Sequence, residues 1–282
     1  MCYACAMFAK KSLGQNFLHD KHALRQIVDS ACLLREDVVL EVGPGDGALT
    51  ELLLERAGKV IVVEKDARLI PVLREKFARD IAAGKLELIR GDILTSKLPN
   101  LRTYKLVANI PYYITGAFLK KFLQNDNQPS SMTLLLQKEV AERIVARSGK
   151  ESILSISVKC YGKPRIVGIV KAESFSPKPK VDSAILVIDE ISKEFFGHHH
   201  PIIKSPPLLR RSAPSFSRGE VVEEQFFSLV KKGFAHPRKL LSSNLNLSAS
   251  ILKKCGIAEN ARAENLSLEQ WGCLAWAPPP HY

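Results

Sequence analysis

The sequence predicts an α/β fold: a doubly wound, mostly parallel sheet followed by a small all-α domain. Three observations predict it. β-Branched runs alternate with helical patterns from Val38 onward, a glycine-rich turn follows the first of these runs, and the composition changes near residue 190. A chain of 282 residues suits about two domains at ~150 residues each. Its 46% apolar content and mean hydropathy of −0.02 supply a substantial core, which excludes a collagenous, disordered or disulfide-stapled miniature protein.

The elements follow in order. The N-terminal MCYACAMFAKK places its short apolar run before its lysines, the reverse of a secretory signal. The longest uncharged stretch, Leu106 to Leu119, has 14 residues and contains Asn109 and Pro111, short of the roughly 18 that a membrane span requires. A cytoplasmic protein is expected. VVLEV (38–42), KVIVVE (59–64), KLELIR (85–90), KLVAN (105–109) and MTLLLQ (132–137) read as strands whose connections are too long for hairpins and therefore as parallel neighbours. Helical spacing marks 67–78 and 115–124. PRIVGIVK (164–171) and VDSAILVID (181–189), separated by the proline-rich SFSPKPK, read as a closing antiparallel pair.

The first domain is thus expected over 1–190. Segment 191–220 has four prolines and no clear period, so it reads as a linker or loop insertion. Residues 221–282 carry four helical patterns, with Ser248 and Ser267 as N-terminal caps and Gly256 as a C-terminal stop. The six cysteines are scattered, and Cys2-x-x-Cys5 has no second pair at zinc spacing, so reduced thiols are expected and no metal site. The run His198-His199-His200 reads as solvated loop. A net charge of +12 with a pI of 9.4 points to a phosphate-bearing or anionic partner.

The chemistry is concentrated at predicted strand ends. Gly43, Gly45 and Ala48 match G-x-G-x-x-G/A, where missing side chains permit a tight turn and close approach of a ligand to backbone. Glu64 ends the next strand about 20 residues on, where a carboxylate accepts both hydroxyl protons of a ribose. Asp92 follows the third strand, placed to accept from an adenine amine. Together they predict an adenosine-containing cofactor. Asn109-Ile110-Pro111-Tyr112 ends the fourth strand and specifies more. An exocyclic adenine amine is a poor nucleophile because its lone pair is delocalised into the ring. Two acceptors aimed at its protons, the Asn109 side-chain oxygen and the Ile110 carbonyl, localise that pair; Pro111 holds Ile110 extended and Tyr112 offers a face for the base.

With these residues in view, the chain resembles the ribosomal RNA adenine dimethyltransferases of the KsgA type. The motifs are KKSLGQNFLHD, EVGPGDGALT, VVEKD, GDIL, NIPYYI, LLLQKEVAERI and FSPKPKVDSAIL, followed by FFSLVKKGF, RKLL and RAENLSLEQW, and they span nearly the whole chain. The resemblance implies a Rossmann-like, S-adenosylmethionine-dependent methyltransferase domain with a helical RNA-contacting domain. It implies dimethylation of two adjacent adenosines in the 3′-terminal hairpin of small-subunit rRNA, a role in small-subunit biogenesis, and a monomer. It adds Asn16 and Leu18 to the cofactor site, Phe175 as a second aromatic wall opposite Tyr112, and Arg238 and Lys239 as RNA contacts. The chain departs from the family pattern in its longer 191–220 segment and in His236-Pro237-Arg238-Lys239, where consecutive arginines are usual. Two rivals share the fold: a large-subunit rRNA adenine methyltransferase of the antibiotic-resistance type, and a non-catalytic RNA- or DNA-binding factor, for which an intact Asn-Ile-Pro-Tyr would have no use.

Overall fold

The computed structural model describes residues 14–96, 101–197 and 218–276, with side chains from 222 onward in the last segment. Cys2, Cys5 and His198–His200 lie outside the described residues, as does most of the 191–220 segment. Two compact units form. One comprises the chain through Val145 together with Gly162–Ile191, the other Ala146–Tyr161 together with the chain from Ser192. This differs from a single boundary at residue 190, because residues 146–161 belong with the C-terminal unit. The reason is packing specific to that unit: the Tyr161 ring lies 5.3 Å from Phe196 and 6.2 Å from Phe227, and Glu151 N donates to Glu264 O at 2.8 Å.

The first unit runs β1 (Phe17–Leu18), α1 (Lys21–Ser30), β2 (Val38–Val42), α2 (Ala48–Arg56), β3 (Lys59–Glu64), α3 (Leu69–Lys76), α4 (Ala78–Ala82), β4 (Leu86–Arg90), β5 (Lys105–Asn109), α5 (Thr115–Leu123), β6 (Ser131–Gln137), α6 (Lys138–Ile144), β7 (Lys163–Val170), β8 (Phe175–Ser176) and β9 (Ser183–Asp189). Seven strands form one sheet in the order β4-β3-β2-β5-β6-β9-β7. The pairs from β4 to β6 are parallel, while β6 with β9 and β9 with β7 are antiparallel. Continuous apolar runs such as those of β5 and β9 suit strands covered on both faces, whereas β4, at an edge, is half exposed. The chain leaves β2 for β3 and β4 on one side and returns to β5 on the other. That reversal opens a crevice beyond the C-terminal ends of β2 and β5.

Two helical details were hidden in the sequence. The pattern at 67–78 is one helix that breaks at Phe77 (φ −107°, ψ 23°), whose ring fills the space beside Gly47. The second concerns GQNFL, which leads into α1 through a short strand. Phe17 and Leu18 pair antiparallel with Ser176 and Phe175. Asp20 then caps α1, accepting from His22 N and Ala23 N, while Ser174 Oγ donates to its other oxygen at 2.8 Å. Loop 14–18 is thereby held against the crevice.

The second unit contains α7 (Ile153–Lys159), α8 (Glu194–Gly197), α9 (Arg218–Gly233), α10 (Leu241–Leu245), α11 (Ala249–Lys254) and α12 (Leu268–Trp276). Its core is aromatic: Phe195, Phe196, Phe226, Phe227, Tyr161 and Trp276 meet at centroid separations of 5.0–6.2 Å. Ser267 caps α12 reciprocally with Gln270. Ser248 precedes α11, but its hydroxyl meets Ser250 Oγ at 2.9 Å instead of a backbone amide. The expectation of reduced thiols is corrected for one pair: Cys255 and Cys273 form a disulfide with their Cα atoms 5.6 Å apart. Tertiary packing of the end of α11 on α12 brings them together, and spacing alone does not reveal it. Cys32 and Cys160 are free. Among the described residues no helix is long and apolar enough to cross a membrane.

Candidate active site

β2 runs directly into the glycine turn. Gly43 and Gly45 take φ +69° and +62°, the left-handed region that side-chain-bearing residues rarely adopt, and a Cβ on Gly45 would fall 2.7 Å from the Phe17 ring. Gly43 N donates to Val63 O at 3.0 Å, which tethers the turn to β3, and Asp46 Oδ1 accepts from Ala48 N at 3.1 Å to start α2. The result is a backbone cradle at a helix N-terminus.

Glu64 ends β3 and is only 5% exposed. Its Oε1 accepts from Asp66 N at 2.6 Å. Burial raises its pKa, while the amides of Asp66, Gly45 and Lys65 oppose that shift. Asp92, just past β4, pairs with Lys65 Nζ at 2.8 Å and accepts from Leu94 N at 2.9 Å; both hold its carboxyl below the usual range, so it is ionised. Asn109 ends β5 and donates through Nδ2 to Asn16 O at 3.2 Å, which leaves Oδ1 as an acceptor. Ile110 is buried, and Pro111 at φ −57° and ψ 131° carries the chain into the 3₁₀ turn Tyr112–Ile114. The Tyr112 hydroxyl meets Ser183 Oγ at 2.7 Å. Burial raises that phenol's pKa, so Tyr112 is neutral and offers its ring, not a base.

One cavity brings together Asn16, Leu18, Gly43, Gly45, Glu64, Asp92, Asn109, Ile110, Pro111 and Tyr112. Phe175 is not among them. The expectation of an aromatic wall there is corrected: Phe175 is 3% exposed and packs into the core cluster with Phe17 and Leu18 through the β1–β8 pairing. Among the lining residues that sequence reasoning passed over are Glu41 and Tyr113. Glu41 is fully buried in β2 with Thr50 Oγ1 donating to its Oε2 at 2.6 Å, and its Oε1 has no partner. The signal was present as an acid inside the otherwise apolar VVLEV. Arg238 and Lys239 are exposed in the second unit, on a segment whose His236 and Gly233 carbonyls accept from Asn244 Nδ2 at 3.1 and 2.6 Å. Among the described residues no cluster of three or more His, Cys, Asp or Glu could hold a metal ion.

A doubly wound sheet with a glycine cradle, a buried carboxylate at the end of β3, a second acid after β4 and a polar Asn-Ile-Pro-Tyr after β5 defines a Rossmann-like S-adenosylmethionine-dependent methyltransferase. The residues fit that cofactor: the cradle admits backbone contact, Glu64 suits a ribose, and the unpartnered Oε1 of Glu41 leaves a polar atom in the cavity wall for a ligand to satisfy. The chain belongs to the ribosomal RNA adenine dimethylase family, which it matches over residues 7–199. It is 41% identical over 286 residues to the ribosomal RNA small subunit methyltransferase A of Dehalococcoides mccartyi strain CBDB1, covering 96% of this chain and 90% of that protein. The protein of the same name from Geobacter metallireducens is 38% identical over 287 residues, with 95% of each chain covered. Among solved structures, a dimethyladenosine transferase from Plasmodium falciparum superposes with a TM-score of 0.73 at 25% identity, covering 92% of this chain and 95% of that one. The 23S rRNA methyltransferase ErmE gives 0.70 at 27%, covering 92% and 98%.

Replacing Glu64 with Gln keeps an oxygen acceptor but removes the charge that strengthens its hydrogen bonds. Cofactor affinity is expected to fall about 10- to 100-fold, the equivalent of about 1.5–3 kcal/mol. Calorimetric titration with S-adenosylmethionine measures it, and wild-type affinity would remove Glu64 from the ribose site. In the wild type, affinity should weaken at acid pH as the raised Glu64 pKa is approached from above, because the protonated acid no longer accepts at both oxygens.

Proposed function

We propose that this chain dimethylates the N6 amines of two adjacent adenosines in the 3′-terminal hairpin of small-subunit rRNA, acting as a monomer on the assembling subunit in the cytoplasm. The observation that carries this reading is the end of β5. Asn109 Nδ2 is committed to Asn16 O, so Oδ1 accepts, and the Ile110 carbonyl follows immediately in a segment fixed by Pro111. When bound, S-adenosylmethionine supplies a methyl group already activated on a sulfonium. What remains for the protein is to hold the adenine.

Two acceptors on the N6 protons favour the form of the amine whose lone pair is localised and aimed at the methyl carbon. Asn109 and Ile110 would hold the amine in line with the methyl group that the bound cofactor would supply, and the N6 proton displaced by each transfer would leave to solvent. Tyr112, its ring orientation set by the Ser183 contact, stacks the base, which must leave its helix to reach the cavity. Proximity does most of the remaining work. The identity to proteins named for the small subunit, 38–41% over almost the whole chain, supports that substrate over the large subunit named for ErmE at 27%.

The test is incubation with labelled S-adenosylmethionine and unmethylated small or large subunits, followed by mass-spectrometric mapping. Label on adjacent small-subunit adenines is expected; label confined to large subunits would replace this reading by the resistance-type activity. Arg238 and Lys239 are exposed and form no ion pair among the described residues, so they are available to phosphates. Their double alanine variant is expected to reduce the logarithmic salt slope of RNA binding by about 0.7–0.9 per lost contact. An unchanged slope in filter-binding titrations would assign the second unit another purpose.

A further inference from the structure

Among the described phenylalanine, tyrosine and tryptophan side chains Tyr113 is the one exposed, at 64%, and it stands on the rim of the cavity that holds Asn109 and Tyr112. Every other described Phe, Tyr or Trp ring is buried or half-buried. Its position is supported from behind. Gly14, at φ +59°, lets the ring lie against the loop backbone, since a Cβ there would come within 3.1 Å of Tyr113 Cε1 and 3.2 Å of Cδ1. Its hydroxyl has no hydrogen-bond partner among the described residues, whereas that of Tyr112 is tied to Ser183. Side chains of consecutive residues in a 3₁₀ turn diverge by about 120°. Tyr112 therefore turns into the fold while Tyr113 turns to solvent.

We propose that Tyr113 is a second nucleobase platform, which stacks on the base next to the adenosine undergoing methylation. The inference rests on the rRNA adenine methylation argued above and specifies how that substrate is held. Extruding the target adenosine strips its chain neighbour of a stacking partner. A fixed aromatic ring one residue from the target's own platform replaces that partner. Tyr113 acts on binding and registration of the RNA, not on the reacting atoms.

The experiment compares wild type with Tyr113→Leu, Tyr113→Phe and Tyr113→Trp on unmethylated small ribosomal subunits, with S-adenosylmethionine affinity measured separately by calorimetry. Tyr113→Leu keeps apolar bulk and removes the π-face, so KM for the subunit should rise about 5- to 100-fold with a much smaller change in kcat. Phe and Trp should restore the wild-type KM, because they keep the ring and the hydroxyl is not required. A ring that merely braced loop 14–18 would instead show its loss in cofactor affinity. Wild-type KM in Tyr113→Leu, or a defect accounted for wholly by weaker cofactor binding, overturns the inference while leaving the methylation reading intact. A wild-type protein that labels no small-subunit adenine overturns both.

Discussion

An Asn109→Ala variant is expected to transfer methyl groups about 10²- to 10³-fold more slowly than wild type at saturating cofactor and RNA, the usual cost of removing one preorganised partner of a developing charge. The side chain does two things. In the proposed reaction its Oδ1 accepts from the adenine amine, while its Nδ2 donates to Asn16 O at 3.2 Å, which helps fix the loop over the cavity. Loss of the second function lowers cofactor affinity, so saturation is needed to isolate the first. Single-turnover rates separate them. RNA affinity should change little, since Tyr112 and the basic surface are untouched. A single-turnover rate close to wild type would mean that the amine is activated without Asn109, and the reading of the β5 end would fall.

The second large effect concerns stability. Glu41 is wholly buried, and burial pushes its pKa from 4.5 up to about 8; the Thr50 hydrogen bond lowers it, neighbouring Glu64 and Asp46 raise it, and Lys76 lowers it. The folded protein thus holds a proton that the unfolded chain releases above pH 4.5. Stability from this group is complete below about pH 4.5 and is lost as pH rises toward about 8, on the order of 5 kcal/mol over the window. Glu41→Gln cannot ionise and still accepts from Thr50. The variant should therefore match wild type near pH 4, exceed it increasingly up to about pH 8 and keep that lead above it in denaturant unfolding. Asp66 and Asp92, whose pKa values are lowered by Arg68 and Lys65, give the opposite slope in acid, but they are common to both proteins and cancel in the comparison. Parallel pH profiles would show that the cavity accommodates a charged Glu41.

Strand periodicity and residue order made the sheet, and most of the residues singled out that line the cavity, legible before folding. Strand periodicity is local, so VVLEV, KVIVVE and KLVAN occupy the predicted positions to the residue. The glycines that must take positive φ, the acid at the end of β3 and the Asn-Ile-Pro-Tyr after β5 are also contiguous features, whose chemistry follows from residue type and order. Tertiary structure alone decided which side chains face solvent and which are enclosed. Phe175 and Tyr113 are both aromatics in motifs near the site, yet pairing of Leu18 with Phe175 buries one, while the 3₁₀ turn and the bare backbone of Gly14 leave the other in water. The same holds for the Cys255–Cys273 bond, for the break at Phe77 and for residues 146–161 joining the second unit. Each depends on contacts between segments far apart in the chain. Burial is a property of the assembled packing, and no period of two or of 3.6 residues encodes it.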